Sequence, residues 1–252
     1  MDESPGASGP YREIAAMYDE LVGDAAFDCW RENFERITNR YSILFETACD
    51  VACGTGLAAV YLAQKCRRVY GVDVSPSMLA VASRRAGAGE VVFLEQSFAD
   101  LDLPERVDLL TCNFDSLNYL TVEEELRAAL VRFAASVVPG GCAIFDMNTY
   151  RELADGLGQA VLVHQTGAGF SIWESTWDEA ACTSTLQMTN FMRRDDGLFE
   201  MSRETHREKS YDLGVITAAV IDAGFKRVEA FDARGLGAVG DDTRRVQFVA
   251  LA

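Results

Sequence analysis

Two glycines and two carboxylates carry the strongest chemical signal in this chain. In Asp50-Val51-Ala52-Cys53-Gly54-Thr55-Gly56 the glycines stand where an apolar run turns sharply into a helical one. Glycine at such a turn lets a ligand approach the backbone, and the helix start offers free N–H groups that suit a carboxylate or a phosphate. Seventeen residues beyond Gly56, closing the apolar run Val69-Tyr70-Gly71-Val72, comes Asp73. A carboxylate so placed can accept hydrogen bonds from both hydroxyls of a ribose. Loop, helix and second-strand acid occur together, which sets them apart from a tight turn followed by a solvated aspartate. The segment Gly54-Thr55-Gly56-Leu57-Ala58-Ala59 also fits the dinucleotide pattern with alanine in third place, so the loop alone leaves a nicotinamide cofactor open.

Candidates for proton transfer are fewer. His206, in Glu204-Thr205-His206-Arg207-Glu208-Lys209, could turn inward as a proton acceptor, although a histidine among charges is more often a solvated strand residue. His164 sits in an apolar run and reads as packed. Asp115 and Asn118 lie in Asn113-Phe114-Asp115-Ser116-Leu117-Asn118-Tyr119, where fixing a loop explains them as well as chemistry does. Tyr11 and Tyr18 are seven apart and share a helix face; an aromatic stripe on the core is the plain alternative. Trp30, Trp173 and Trp177 could line an aromatic pocket or hold a cation over a ring, with core burial or a dimer contact as the plain alternative. The seven cysteines mostly occupy apolar runs and show no Cys-x-x-Cys spacing, so reduced thiols are expected and no metal is implied.

The elements that must position these residues belong to a chain of 252 residues, 49% apolar and 25% charged, ordinary values that exclude fibrous and wholly disordered classes. Its 39 acidic residues against 23 basic give a formal charge of −16, which repels phosphate backbones, and the arginine pairs are scattered. A nucleic-acid partner is therefore not expected. The N-terminal stretch is acidic and small, unlike a signal peptide, and no run reaches the roughly 18 uncharged apolar residues of a membrane helix. A cytoplasmic protein with no membrane partner is expected.

Ile14, Met17, Tyr18 and Leu21, then Trp30, Phe34 and Ile37, fall at helical spacing and predict two helices across residues 11–41. Strands and helices then alternate: Phe45–Val51, Gly56–Cys66, Arg68–Val72, Ser77–Arg85, Val91–Glu95, Val107–Asn113, Val122–Val137 and Cys142–Met147. That alternation predicts an α/β fold with a doubly wound parallel sheet. After about Gly158 the helices stop. Val161–Gln165, Phe170–Trp177, Thr183–Met192 and Phe199–Glu208 read as an inserted antiparallel sheet across 159–209 that could cover a substrate pocket. A helix over Leu213–Ala223, with Gly224 just past its end, and strands Arg227–Phe231 and Arg245–Leu251 complete a single domain over 1–252.

Asp50–Gly56 followed by Gly71-Val72-Asp73-Val74-Ser75-Pro76-Ser77-Met78-Leu79 resembles the first two motifs of class I S-adenosylmethionine-dependent methyltransferases of the small-molecule type. The likeness continues through Asp108–Asn113 and the Pro139-Gly140-Gly141 turn, covering residues 45–150 well. The closing strands look like that family's antiparallel last hairpin. The resemblance implies a seven-stranded Rossmann-like sheet, S-adenosyl-L-methionine as cofactor, and methylation of N or O on a small molecule. With 20 of the 23 basic residues being arginine, a bacterial natural-product enzyme fits.

Residue by residue, the resemblance implies that Asp50 and the backbone of Ala52, Cys53 and Gly54 hold the methionine end, beside Gly56. Asp73 takes the ribose, and Val74 and Met78 lie against the adenine. Ser97 and Phe98 stand at the adenine edge, where many relatives carry an aspartate. Asn113 and Phe114 come near the sulfonium. Tyr11 and Tyr18 belong to a lid helix, with Tyr18 also close to the chemistry. Asp115 and His206 are the candidate bases, and Trp30, Asn118 and Trp173 the acceptor wall. A homodimer through the inserted strands is one option. A nicotinamide-dependent dehydrogenase is the first rival, but the chain lacks a second nucleotide-binding half. A methyltransferase fold turned to hydrolysis or cyclisation, or to binding alone, stays open because no residue is a compelling base.

Overall fold

The computed structural model describes residues 14–15, 17–86, 91–156 and 161–252, so Tyr11 lies outside the described residues. Helices α1 (Tyr18–Val22) and α2 (Asp24–Arg40) precede β1 (Thr47–Val51), α3 (Leu57–Ala63), β2 (Arg68–Asp73), α4 (Pro76–Ala86), β3 (Val92–Glu95), β4 (Val107–Cys112), α5 (Glu123–Ser136) and β5 (Val137–Asn148). The insertion supplies β6 (Val161–Gln165), β7 (Gly169–Asp178), β8 (Thr183–Arg193) and β9 (Phe199–Lys209). The chain ends with α6 (Leu213–Asp222), β10 (Arg227–Asp232) and β11 (Arg245–Leu251).

Seven strands form one sheet in the order β10-β11-β5-β4-β1-β2-β3. Strands β1 to β5 run parallel, and β11 is antiparallel to both of its neighbours. Every residue of β1 is buried, as expected where helices cover both faces of a parallel sheet. Phe133, Leu130 and Leu126 of α5 pack on one face with Val220 of α6; Trp30, Phe34 and Ile37 of α2 pack on the other with Leu62 of α3. The chain leaves β1 toward β2 on one side and places β4 on the other. The carboxyl ends of β1 and β4 therefore flank the point where strand order reverses, where open α/β sheets bind ligands.

Most element boundaries lie within a few residues of the periodicity, and β5 departs further. Strand β5 starts at Val137, ahead of the predicted Cys142, because Val137 pairs with Val107 across a register shift around the glycine turn.

The inserted strands form a separate antiparallel sheet, β6-β7-β8-β9. Its covered face mixes polar groups with the apolar Trp173, Leu186 and Met188. Ser171, Ser184, Asn190, Glu204, His206 and Glu208 are buried, while Val161, Val163, Phe199 and Met201 on the opposite face are exposed. The covered face thus holds more polar groups than the usual apolar-in alternation of a half-covered strand. Among the described residues no helix is long and apolar enough to cross a membrane, and no His/Cys/Asp/Glu group could hold a metal ion.

Candidate active site

After β1 the chain turns through three left-handed residues, Ala52 (φ 54°), Gly54 (φ 53°) and Gly56 (φ 81°). The two glycines serve different ends. A Cβ on Gly56 would lie 2.9 Å from the Ala82 Cβ, so this glycine lets α3 and α4 close together. A Cβ on Gly54 would meet nothing within 4 Å, so its open side is ligand space. The Gly54 N–H donates to Asp73 Oδ2 at 2.8 Å and the Ser75 N–H to Oδ1 at 2.8 Å. Each oxygen keeps acceptor capacity for a ligand hydroxyl. Burial raises the Asp73 pKa, opposed by these backbone donors.

A cavity of about 240 Å³ opens over this loop. Ala52, Gly54, Asp73, Val74 and Met78 line it at one end, and Ser97, Phe98, Phe114 and Tyr18 carry the wall onward. Gln96, Ser75, Ser116 and Tyr119 join them without having been singled out from sequence.

Other predicted residues sit behind the wall. Asp50 is buried, and its Oδ1 accepts from Thr111 Oγ1 at 2.7 Å and Asn113 Nδ2 at 3.0 Å. Burial pushes its carboxyl up to about 7 despite those donors. Asn113 accepts in turn from Trp30 Nε1 at 2.7 Å. Trp30 stacks between Phe27 and Phe34, so it packs in the core and holds Asn113 instead of forming an acceptor wall. The Cys53 thiol is buried beneath the loop, which raises its pKa.

Asn118 is likewise a tie rather than a wall. Its Nδ2 donates to the carbonyls of Asn148 (3.0 Å) and Lys209 (2.8 Å), and its Oδ1 accepts from the Asn148 N–H (2.9 Å). It thereby pins the 3-10 turn Ser116–Tyr119 to β5 and β9. Trp173 donates to Ser171 Oγ at 2.8 Å, lies against His164, and packs with Ile14, Met17 and Met188 away from the cavity.

At the far end, Phe114 (φ 56°) and Asp115 (φ 55°) are consecutive left-handed residues. Their N–H groups both donate to the Asp146 carboxylate, at 2.7 and 3.2 Å. Arg245 bridges Asp115 (2.6 Å) and Asp146 (2.7 Å). Glu208 is hydrogen-bonded to Asp115 and accepts from Asn148 Nδ2 at 3.1 Å. Burial raises the pKa of Asp115 and of Glu208, and for Glu208 the nearby Asp115 charge adds to it. Burial and then the Asp115 charge also raise the Tyr18 phenol, so Tyr18 faces the cavity as a hydroxyl donor and not as a proton acceptor.

His206 is 1% exposed, not solvated. Its Nδ1 lies 2.9 Å from the Tyr119 hydroxyl and its Nε2 3.2 Å from Glu204 Oε2. Sequence reading missed Tyr119, Glu204, Glu208, Asp146 and Arg245. The available signal was the alternation Ser202, Glu204, His206, Glu208, which places four polar residues on one strand face.

Helix α1 spans both sheets. Thr55 Oγ1 donates to Asp19 Oδ1 at 2.5 Å, and Arg85 pairs with the same carboxylate. The Gly167 N–H, in the β6–β7 turn, donates to Glu20 Oε2 at 2.6 Å.

The chain belongs to the class I S-adenosylmethionine-dependent methyltransferase family; it is a methyltransferase with S-adenosyl-L-methionine as its cofactor. Residues 48–141 match the family model for a methyltransferase domain. A protein of Geobacillus sp. (strain WCH70), named as a methyltransferase with no substrate given, is 30% identical over 243 residues, covering 95% of this chain and 98% of its own. The dTDP-3-amino-3,6-dideoxy-alpha-D-glucopyranose N,N-dimethyltransferase of Streptomyces fradiae is 35% identical over 152 residues, 58% of this chain and 59% of its own. The crystal structure of an S-adenosylmethionine-dependent methyltransferase from Clostridium acetobutylicum shares the fold, with a TM-score of 0.84 at 24% identity, covering 95% of this chain and 97% of that one. The open side of Gly54 and the remaining acceptor capacity of Asp73 fit this cofactor.

Proposed function

We propose that this enzyme methylates the amino group of a small molecule, and that a nucleotide-linked amino sugar is the acceptor class to test first. The carrying observation is the charge behind the Phe114 wall of the cavity, where Asp115, Asp146 and Glu208 surround a single guanidinium, Arg245. With Glu208 held toward its protonated form by burial and the Asp115 charge, Asp115 and Asp146 still outnumber the one guanidinium, and that negative field favours an ammonium ligand over an anion. The name of the Streptomyces fradiae relative supports the same acceptor class. A cavity of about 240 Å³ in a chain of charge −16 supports a small acceptor over nucleic acid.

In this reading Asp73 binds the ribose hydroxyls, Met78 and Phe98 contact the adenine, and the loop from Ala52 to Gly54 holds the methionine end. The cofactor supplies an electrophilic methyl on a sulfonium. The protein supplies orientation, exclusion of water by Tyr18 and Phe114, and removal of the proton that masks the amine lone pair.

The test is incubation of the purified protein with S-adenosylmethionine and dTDP-3-amino-3,6-dideoxyglucose, followed by mass spectrometry. A gain of one or two methyl groups on nitrogen is expected. Methylation of the matched 3-hydroxy sugar, with the amine untouched, would sink the proposal.

A further inference from the structure

Three side chains outside the cofactor loop form a continuous hydrogen-bonded line from the cavity into the inserted sheet. We propose that Tyr119 takes the proton from the acceptor's ammonium while passing its own hydroxyl proton to His206, which Glu204 holds and stabilises. This rests on the amine reading above.

Tyr119 lines the cavity and is held there by the Asn118 tie to both sheets. Its hydroxyl is 2.9 Å from His206 Nδ1, with the two rings edge-on at 75°. The opposite ring nitrogen, Nε2, is 3.2 Å from Glu204 Oε2. A carboxylate only accepts hydrogen bonds, so this network assigns the proton of neutral His206 to Nε2 and leaves the Nδ1 lone pair for the tyrosine hydroxyl. His206 and Glu204 are each 1% exposed, so the inner part of the line is shielded from bulk water and offers a protein acceptor for a proton leaving the amine at Tyr119. Asp115 is already engaged by Arg245 and Glu208 and does not line the cavity.

The step balances without any co-reactant. The ammonium N–H bond breaks and its electron pair stays on nitrogen as the nucleophile. That proton forms a new bond to the Tyr119 oxygen, as the former Tyr119 proton bonds to His206 Nδ1. Tyr119 is neutral before and after, and the ring becomes an imidazolium beside Glu204. Tyr119 is the catalytic residue; His206 and Glu204 act through it.

The chain holds two histidines, so His164→Gln leaves His206 as the only imidazole signal. Nitrogen-15 NMR of that variant should show the Nε2–H tautomer. Tyr119→Phe should shift Nδ1, and Glu204→Gln should raise the Nδ1–H fraction. Adding dTDP-3-amino-3,6-dideoxyglucose together with S-adenosylhomocysteine should protonate both ring nitrogens. In turnover, Tyr119→Phe should lower kcat by about 10² or more while leaving S-adenosylhomocysteine affinity unchanged. A resting Nδ1–H tautomer, or a Tyr119→Phe kcat within about two-fold of the parent, overturns the relay and leaves the amine reading standing. A parent inert toward amines overturns both, and is told apart because parent and variant are then equally silent.

Discussion

The two ends of the cavity are built from different materials. At the loop end a ligand meets backbone: left-handed turns, the open side of Gly54, and a carboxylate oriented by two N–H groups. At the far end it meets Phe114, Ser116 and Tyr119, backed by buried charged side chains gathered from the β4 turn, β5, β9 and β11. A site made of main chain compresses into a short motif. A site made of converging side chains leaves a trace at each contributing element and a pattern at none. In the function proposed above, the first end is general for a nucleotide-like ligand and the second carries the choice of acceptor.

That contrast can be broken at several points. The largest effect falls on Asp50. Its folded pKa, pushed up to about 7, lies above the unfolded value near 3.9, so the native state holds the proton more tightly. Its contribution to stability is fully present below the unfolded value and is lost as pH rises toward 7, a change of roughly 4 kcal/mol. Urea unfolding of the ligand-free protein across that range should show the decline, and Asp50→Asn should flatten it. Equal slopes in parent and variant would refute the assignment.

Gly56→Val comes next, at roughly 2–4 kcal/mol of stability, because it combines a left-handed φ with a collision against Ala82. Gly54→Val bears the left-handed φ cost alone, about 1–3 kcal/mol without the collision, and should lose S-adenosylhomocysteine binding by calorimetry. If both variants lose stability alike, the division of labour between the two glycines is wrong. Asp73→Ala should weaken that binding by about 1.5–3 kcal/mol. Smallest is Asp19→Asn, which loosens a part-exposed pair with Arg85 at about 0.2–1 kcal/mol. Its effect should be visible in the cofactor off-rate by stopped flow rather than in melting temperature.

The strand and helix order was legible because hydrophobic period is a local property, and the loop with Asp73 was legible because its geometry demands particular residues at fixed spacing. Depth was not legible. Asp50, Asn113 and Trp30 have the types of wall residues but form a buried chain, and only the packing of α2 on the sheet shows it. Asn118 and Trp173 were assigned to the acceptor wall, yet each is spent on internal hydrogen bonds. Glu204 and Glu208 escaped notice because acids at alternate strand positions ordinarily mark the solvent face, and here that face is covered. Tyr119 carries no motif at all; its role depends on a histidine 87 residues away.

Adjacent residues Asp19 and Glu20 grip opposite halves of the molecule, one through Thr55 and Arg85 beside the glycine loop, the other through the Gly167 N–H. Tyr18 is the residue before them. Any displacement of Tyr18 from the cavity would strain both grips together, so this short helix couples the glycine loop and the inserted sheet as one mechanical unit.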